Sequence, residues 1–269
     1  MERTKIFEPE QEIDHICDWV KDYWVKNTKN YTKAIIGMSG GKDSFITAAL
    51  LVRALGADKV VGVLMPQDYQ EDIEDAQDQC EYLGIQWYCV DIGPAARSLY
   101  REFEETTDMV LNNRIKTNTP ARLRMTTLYM TAAALGGRVV NTCNLSEDYV
   151  GYSTKYGDLA GDFGLLKEYC VREVLAIGKA LGLPEHWIYK TPADGMCGHS
   201  DEESLGVTYK VIDEYILDNI TPSLDELSII NTLNKNNKHK NDIHIPSPHP
   251  KTRHWNDREY HPGGWCVEF

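Results

Sequence analysis

Short apolar runs alternate with longer helix-like runs over the first half of this chain. Both faces of the short apolar runs are hydrophobic, which is the pattern of strands in a parallel sheet covered by helices on its two sides. The sequence therefore predicts an α/β fold with a doubly wound parallel sheet. The four predicted strands are KAIIGM (33–38), KVVGVLM (59–65), IQWYCVDI (85–92) and RVVNTC (138–143).

Helical spacing of apolar residues predicts the remaining regular structure. The first helix covers 9–26, and the last begins at a capping-box pattern formed by Ser200 and Glu203. The segment 144–164 is polar, rich in glycine and too long for an idle connection, so we expect it to carry function. The predicted helices are 9–26, 43–55, 71–83, 120–135, 168–181 and 200–219.

The composition changes near residue 231, where Asn, Lys, His and Pro become frequent. Such a change is typical of a mobile tail, or of a lid that becomes ordered on a ligand. We therefore expect one domain over 1–230, whose C-terminal part is mostly helical. Residues 231–269 are expected to form a C-terminal tail or lid packed on or near the active site.

Charge and cysteine usage exclude several classes of protein. The formal net charge is −13, which disfavours a broad nucleic-acid surface. The seven cysteines are scattered and never spaced C-x-x-C, which favours reduced thiols in a cytoplasm over disulfides or zinc. The N-terminus lacks an apolar signal segment, and no run approaches the length that spans a membrane. We expect a cytoplasmic globular protein.

The stretch GMSGGKDS (37–44) joins the first predicted strand to a helix. Ligands of open parallel sheets bind beyond the carboxyl ends of strands, and a glycine-rich helix start offers N–H groups to an anion. Asp43 then needs a cation between its carboxylate and a phosphate, and Mg²⁺ suits that position. The alternative is a plain turn with incidental glycines. The spacing matches neither G-x-x-x-x-G-K-[ST] nor G-x-G-x-x-G.

The S-G-G-x-D-S pattern resembles the phosphate loop of the N-type ATP pyrophosphatases, whose Rossmann-like fold is of the adenine nucleotide alpha hydrolase type. Four later stretches narrow the resemblance to ammonia-dependent NAD synthetases, from about residue 10 to 220. These stretches are ARLRM (121–125), NTCNLSE (141–147), GYSTKYGDLAGDF (151–163) and SDEESLGVTYKVIDEYI (200–216).

The resemblance implies a set of site residues. Asp43 and Glu147 would hold Mg²⁺, and Asp43 and Lys42 are the candidate catalytic residues. Arg124 stays unassigned, because it faces elsewhere on its helix than Arg122 does. ATP would be bound by Gly37, Met38, Ser39, Gly40, Gly41, Lys42, Asp43, Ser44 and Thr142. Deamido-NAD⁺ would be bound by Arg122, Lys155, Asp162 and Lys251.

The resemblance also implies a two-step reaction with ATP as co-substrate. The carboxylate of deamido-NAD⁺ attacks the α-phosphate of ATP, and ammonia then displaces AMP from the acyl-adenylate to give NAD⁺. The expected partners are these small molecules and a second copy of the chain, whose interface would lie on 106–135. No nucleic acid or membrane is expected.

Three positions depart from the family pattern. A family lysine falls on Val171, the family P-T-A is shortened around Pro192-Ala193, and the C-terminal His-Lys-Arg is only approximated by HPKTRH (249–254). We expect Lys42 to reach the β- or γ-phosphate and to replace the missing lysine; the alternative is that it points into water.

Two other readings of the sequence stay open at this stage. One is a different adenylating member of the superfamily, such as a tRNA-modifying enzyme. The other is a nucleotide-binding homologue with reduced turnover.

Overall fold

The computed structural model describes residues 7–29, 32–68, 70, 73–190 and 201–241. Its strands form one sheet in which every neighbouring pair is parallel. This confirms the predicted fold class and adds one strand from the segment 144–164. The strands are β1 (Ala34–Gly37), β2 (Val60–Leu64), β3 (Gln86–Cys89), β4 (Arg138–Asn141) and β5 (Phe163–Gly164), in the order β3-β2-β1-β4-β5.

Helices connect these strands and make up the C-terminal part of the described residues. The connections run along both faces of the sheet, as the doubly wound class requires. The helices are α1 (Pro9–Asn27), α2 (Lys42–Leu55), α3 (Ile73–Leu83), α4 (Gly93–Thr106), α5 (Asn113–Leu135), α6 (Leu145–Val150), α7 (Val171–Ala180), α8 (Glu185–Ile188), α9 (Asp201–Leu205), α10 (Tyr209–Leu217) and α11 (Leu224–Asn241).

Two apolar clusters cover the sheet. On one face, α1, α2 and α7 bury side chains such as Leu50 and Ile177 against β1 and β2. On the other face, Ala132 of α5 packs with Ile35 and Val63. All five residues of β2 are buried because that strand is covered on both sides, whereas β3 lies at the sheet edge and is largely exposed.

A third cluster joins the C-terminal helices to the segment that follows β4. Val150, Val171, Ile212 and Ile230 are buried together, at the junction of α6, α7, α10 and α11. Helix α11 extends through residue 241 and packs on α6, so the composition change at residue 231 falls inside a helix. The division of the chain at residue 230 stays a prediction.

Several predicted helix bounds were wrong. The helix predicted over 200–219 is two helices, because Gly206 has φ of +73° and ends α9. Helix α5 begins at Asn113, after the side chain of Asn112 caps its first turn, and it contains Pro120. Helix α4 was not predicted. In the described part of the chain, none of the helices combines the length and apolarity that a bilayer crossing needs.

Candidate active site

The glycine-rich stretch 37–44 forms a tight loop between β1 and α2. Gly40 has φ of +84°, a conformation that favours glycine. Ser44 Oγ donates to the Gly41 carbonyl at 3.1 Å and accepts from the Ser39 N–H at 3.4 Å, which closes the loop. The N-cap residue of α2 is Gly41, which has no side chain to cap the helix. The first N–H groups of α2 can therefore bind an anion.

A cavity of about 540 Å³ opens at the carboxyl ends of β1 and β4, a volume suited to a nucleotide-sized ligand. Every residue from 37 to 43 lines it, which is all of the predicted ATP loop except Ser44. Thr142 and Glu147, which follow β4, line the same cavity. The structure thus brings together the predicted ATP and metal residues of two separate stretches, 37–44 and 141–147.

Asn144 connects the two predicted metal carboxylates. It is fully buried, and its side-chain amide donates to Asp43 Oδ1 at 3.2 Å. Its side-chain oxygen accepts from the Glu147 N–H at 3.0 Å, while the Glu147 carboxylate accepts from the Asn144 N–H at 3.3 Å. This capping box fixes the start of α6. It also sets the loop after β4 against the start of α2.

Lys42 does not point into water. Its side chain is 5% exposed, and its ammonium lies 2.6 Å from Asp43 Oδ2. Burial raises the pKa of Asp213 on α10, and the nearby Lys42 charge opposes part of that rise. Lys42, a residue of the loop 37–44, is therefore also close enough to α10 for its charge to affect Asp213.

The other half of the cavity is lined by α5, the segment 151–160 and α11. Arg124 donates from Nε to the Met65 carbonyl at 3.1 Å, and burial lowers its pKa while Asp158 opposes that change. Desolvation raises the pKa of Asp158, which accepts from the Thr154 N–H at 2.9 Å. Lys240 donates to the Gly151 carbonyl at 2.7 Å. This half therefore presents two cations and one carboxylate to a ligand.

Three residues predicted to contact deamido-NAD⁺ are not among the cavity-lining residues. Arg122 is exposed and donates to the Lys155 carbonyl at 3.4 Å. Lys155 donates to the His239 carbonyl at 2.7 Å. Asp162 accepts from the Val139 N–H at 2.7 Å, at the amino end of β4 and away from the cavity. Their contact with substrate stays a prediction.

Of the three departures from the family pattern, the structure describes the one at Val171. Val171 is 8% exposed and packs in the third apolar cluster, with Val150 and Ile212 as neighbours. Lys251, Pro192-Ala193 and the 249–254 stretch lie outside the described residues. Nothing structural follows for them.

Sequence reasoning missed Arg124, Lys190, Lys240 and Asp158, which all line the cavity. For Arg124 a signal existed, since the cavity-lining residues of α5 recur at helical spacing and Arg122 falls off that face. No local pattern identifies Lys240, because α11 reaches the cavity through tertiary packing alone. The α5 residues on the cavity are Thr117, Asn118, Ala121, Arg124, Met125 and Leu128.

The residues fit a metal that arrives with a nucleotide. Within the described ranges, no group of three or more His, Cys, Asp or Glu side chains could hold a metal by itself. Asp43 and Glu147 nevertheless offer two carboxylates to one cavity. Mg²⁺ is commonly bound by one or two carboxylates, with phosphate oxygens and waters completing its shell. The two carboxylates are therefore sufficient on the protein side.

The fold and the site define a nucleotide-binding α/β domain of the doubly wound class, with a phosphate loop at a strand end. The family model for NAD synthase matches residues 12–254, so the chain belongs to the NAD synthase family. The NH(3)-dependent NAD(+) synthetase of Thermococcus sibiricus is 38% identical over 206 residues, which is 76% of this chain and 80% of that protein. The resemblance to ammonia-dependent NAD synthetases is confirmed.

Solved structures agree with this assignment. The NMN synthetase from Francisella tularensis superposes with a TM-score of 0.83 at 31% identity, covering 90% of this chain and 99% of that one. The NH3-dependent NAD synthetase from Campylobacter jejuni superposes with a TM-score of 0.70 at 26% identity, covering 91% and 100%.

Proposed function

We propose that this chain is a ligase that forms a carbon–nitrogen bond, converting deamido-NAD⁺ and ammonia into NAD⁺ at the expense of ATP. Family membership supports this reaction. The observation that carries the proposal is the shared cavity, in which the phosphate loop faces a second half lined by α5, 151–160 and α11. One half suits a triphosphate, and the other suits the nucleotide that carries the carboxylate.

In the first step, a carboxylate oxygen of deamido-NAD⁺ attacks the α-phosphorus of ATP, and the bond to pyrophosphate breaks. The N–H groups at the start of α2 hold the phosphates, because the positive end of the helix faces them. Asp43 and Glu147 would hold Mg²⁺, which would supply positive charge to offset that of the phosphates. The contribution of the chain is mainly positioning and electrostatic stabilisation.

In the second step, ammonia attacks the carbonyl carbon of the acyl-adenylate, and the bond to AMP breaks. The nitrogen loses a proton and the amide of NAD⁺ is formed. Ammonia is the nucleophile, so the reaction needs no covalent attachment to a cysteine or serine of the chain.

Lys42 is the proposed phosphate-binding cation of the loop. It lines the cavity with the rest of the loop, whereas Val171 is buried in an apolar cluster that cannot supply charge. A lysine ammonium binds phosphate as a point charge. We expect Lys42 to contact the β- or γ-phosphate during adenylation.

A second acceptor is nicotinate mononucleotide, which would give NMN by the same chemistry. The specific observation in its favour is the better superposition on the NMN synthetase, at a TM-score of 0.83 against 0.70 for the Campylobacter NAD synthetase. Both acceptors carry the reacting nicotinate carboxylate. Deamido-NAD⁺ carries in addition an adenylate group, which the second half of the cavity would have to accommodate.

One assay separates these functions. The protein is incubated with ATP, Mg²⁺, ammonium and either acceptor, and NAD⁺ or NMN is measured together with AMP and pyrophosphate. We expect stoichiometric amide, AMP and pyrophosphate from deamido-NAD⁺. A higher kcat/KM with nicotinate mononucleotide would reassign the acceptor. No amide, AMP or pyrophosphate with either acceptor would favour a homologue with reduced turnover. A parallel reaction with tRNA in place of the acceptor tests the tRNA-modifying reading, which release of AMP and pyrophosphate in that reaction alone would favour.

We also propose that the protein acts as a homodimer through residues 106–135. Helix α5 supports this, since Met130 is 67% exposed and the preceding Met109 and Val110 are 63% and 81% exposed. Asp162 lies near Tyr129 of α5, because burial and then the Asp162 charge raise the pKa of Tyr129. An interface here would bring Asp162 toward a site shared by two subunits.

A further inference from the structure

The Lys42 ammonium lies where a metal cation would approach Asp43. Its distance to Asp43 Oδ2 is 2.6 Å, and the other oxygen of Asp43 accepts from Asn144 at 3.2 Å. Both oxygens of the carboxylate are thus engaged by side chains. A divalent cation that approaches Asp43 Oδ2 therefore meets the positive charge of Lys42 at close range.

The position of Lys42 is unfavourable for a positive charge in two respects. It is the first residue of α2, where the helix dipole presents its positive end, and its side chain is 95% removed from solvent. Burial by itself disfavours the charged form of a lysine. Carboxylates must offset both effects, and Asp43 is in direct contact with the ammonium. The phosphates of an incoming ATP would bring more negative charge into the same cavity than the Asp43 carboxylate supplies.

We propose that Lys42 is an exchangeable internal cation: it holds Asp43 while no nucleotide is bound, opposes free divalent cations there, and moves to a phosphate oxygen when metal and ATP enter together. The inference rests on the proposed ATP-dependent function and adds a binding order to it. Metal and nucleotide then bind with positive coupling, because the phosphates release Asp43 from Lys42. Without Lys42 the part of the coupling that arises from this exchange is lost, and free metal binds more tightly.

The test is the binding of free Mn²⁺ without nucleotide, measured by electron paramagnetic resonance of the unbound ion. The variant is Lys42→Met, which is unbranched and one atom shorter and removes the charge. Lys190→Met is the matched control, because Lys190 lines the same cavity but pairs with Asp75. A Lys42→Met/Asp43→Asn double variant identifies the carboxylate responsible for any gain in affinity.

We expect Lys42→Met to bind free Mn²⁺ about tenfold more tightly or better, because a unit charge in contact with a ligand oxygen opposes the metal strongly. Lys190→Met should match the wild type, and Asp43→Asn should abolish the gain. Equal Mn²⁺ affinity in the wild type and Lys42→Met would overturn the proposal. An equal gain in Lys190→Met would also overturn it, since that result indicates only the general charge of the cavity.

If Lys42→Met does not fold, the wild type and Asp43→Asn decide the matter. The proposal requires these two to bind free Mn²⁺ equally weakly, and a tenfold weaker affinity in Asp43→Asn would overturn it. The amidation assay is independent of this measurement. If the enzyme amidates normally but fails the Mn²⁺ test, only the proposed exchange of Lys42 is refuted. If the protein is inactive but passes the Mn²⁺ test, only the proposed reaction is refuted.

Discussion

Asp43 pairs with a buried lysine, so its removal affects stability as well as chemistry. Asp43→Ala would remove one carboxylate from the buried Lys42 ammonium, which should cost on the order of 1–3 kcal/mol of unfolding free energy. Urea denaturation measures this loss. Pyrophosphate release should also fall by orders of magnitude if the carboxylate holds Mg²⁺. Unchanged stability in Asp43→Ala would mean that the ion pair contributes nothing.

Glu147 allows the metal role to be separated from the structural one. Its carboxylate closes the capping box of α6, and glutamine can still accept that hydrogen bond. Glu147→Gln should therefore keep wild-type stability while adenylation slows by about a hundredfold or more, since a metal clamp on phosphoryl charge is worth several kcal/mol. Glu147→Ala is the comparison, because the loss of that one hydrogen bond should also cost about 1 kcal/mol of stability. Near-normal turnover in both would remove Glu147 from the site.

The residues that could be predicted from sequence are those that follow directly after a strand. Gly40, Asp43, Thr142 and Glu147 lie at the carboxyl edge because the parallel topology brings strand ends together. Asn144 could not be assigned, since its role depends on a contact between segments 101 residues apart. Buried tertiary contacts of this kind leave no local pattern.

At the scale of elements, α11 forms part of the wall of the cavity. Asn234 and Asn237 donate to the carbonyls of Tyr149 and Val150, at 2.8 and 3.1 Å, which docks the helix on α6. That docking places Lys240 in the cavity. The helix was not predicted because its sequence is rich in Asn and Lys. It is held by these amide contacts and by Ile229, Ile230 and Leu233, which pack in the third apolar cluster.

The position of Lys240 predicts an effect on one substrate. Lys240→Met should raise KM for the acceptor nucleotide about tenfold, as expected for the loss of one charge-assisted hydrogen bond, and should leave KM for ATP unchanged. Steady-state kinetics with each substrate varied measures both values. Lys238→Met is the control, because Lys238 is an exposed residue of the same helix and does not line the cavity. Equal effects of the two changes would count against a specific contact.

At the scale of the whole molecule, the aromatic residues of α1 serve its own fold. Trp19, Tyr23 and Trp24 all contact Phe163 of β5, with ring centroids 4.8–6.4 Å apart. The sequence showed an apolar face at helical spacing but not its partner. This leaves the exposed face of α5 as the better candidate for an interface.

A homodimer through α5 can be disrupted by one charge. Met130→Glu would place a carboxylate in the proposed interface and should give a monomer in sedimentation experiments at micromolar concentration. Val25→Glu is the control, because Val25 is 83% exposed on α1, away from that surface. A wild-type protein that sediments as a fully active monomer would contradict the dimer.

In the proposed reaction, the acceptor carboxylate is activated by adenylation. The most direct measurement uses deamido-NAD⁺ whose nicotinate carboxylate carries a heavy oxygen isotope, incubated with ATP, Mg²⁺ and ammonium. One labelled oxygen should appear in AMP, because the carboxylate oxygen that attacks the α-phosphorus leaves with AMP when ammonia forms the amide. Unlabelled AMP, or ADP and phosphate as the products, would contradict it.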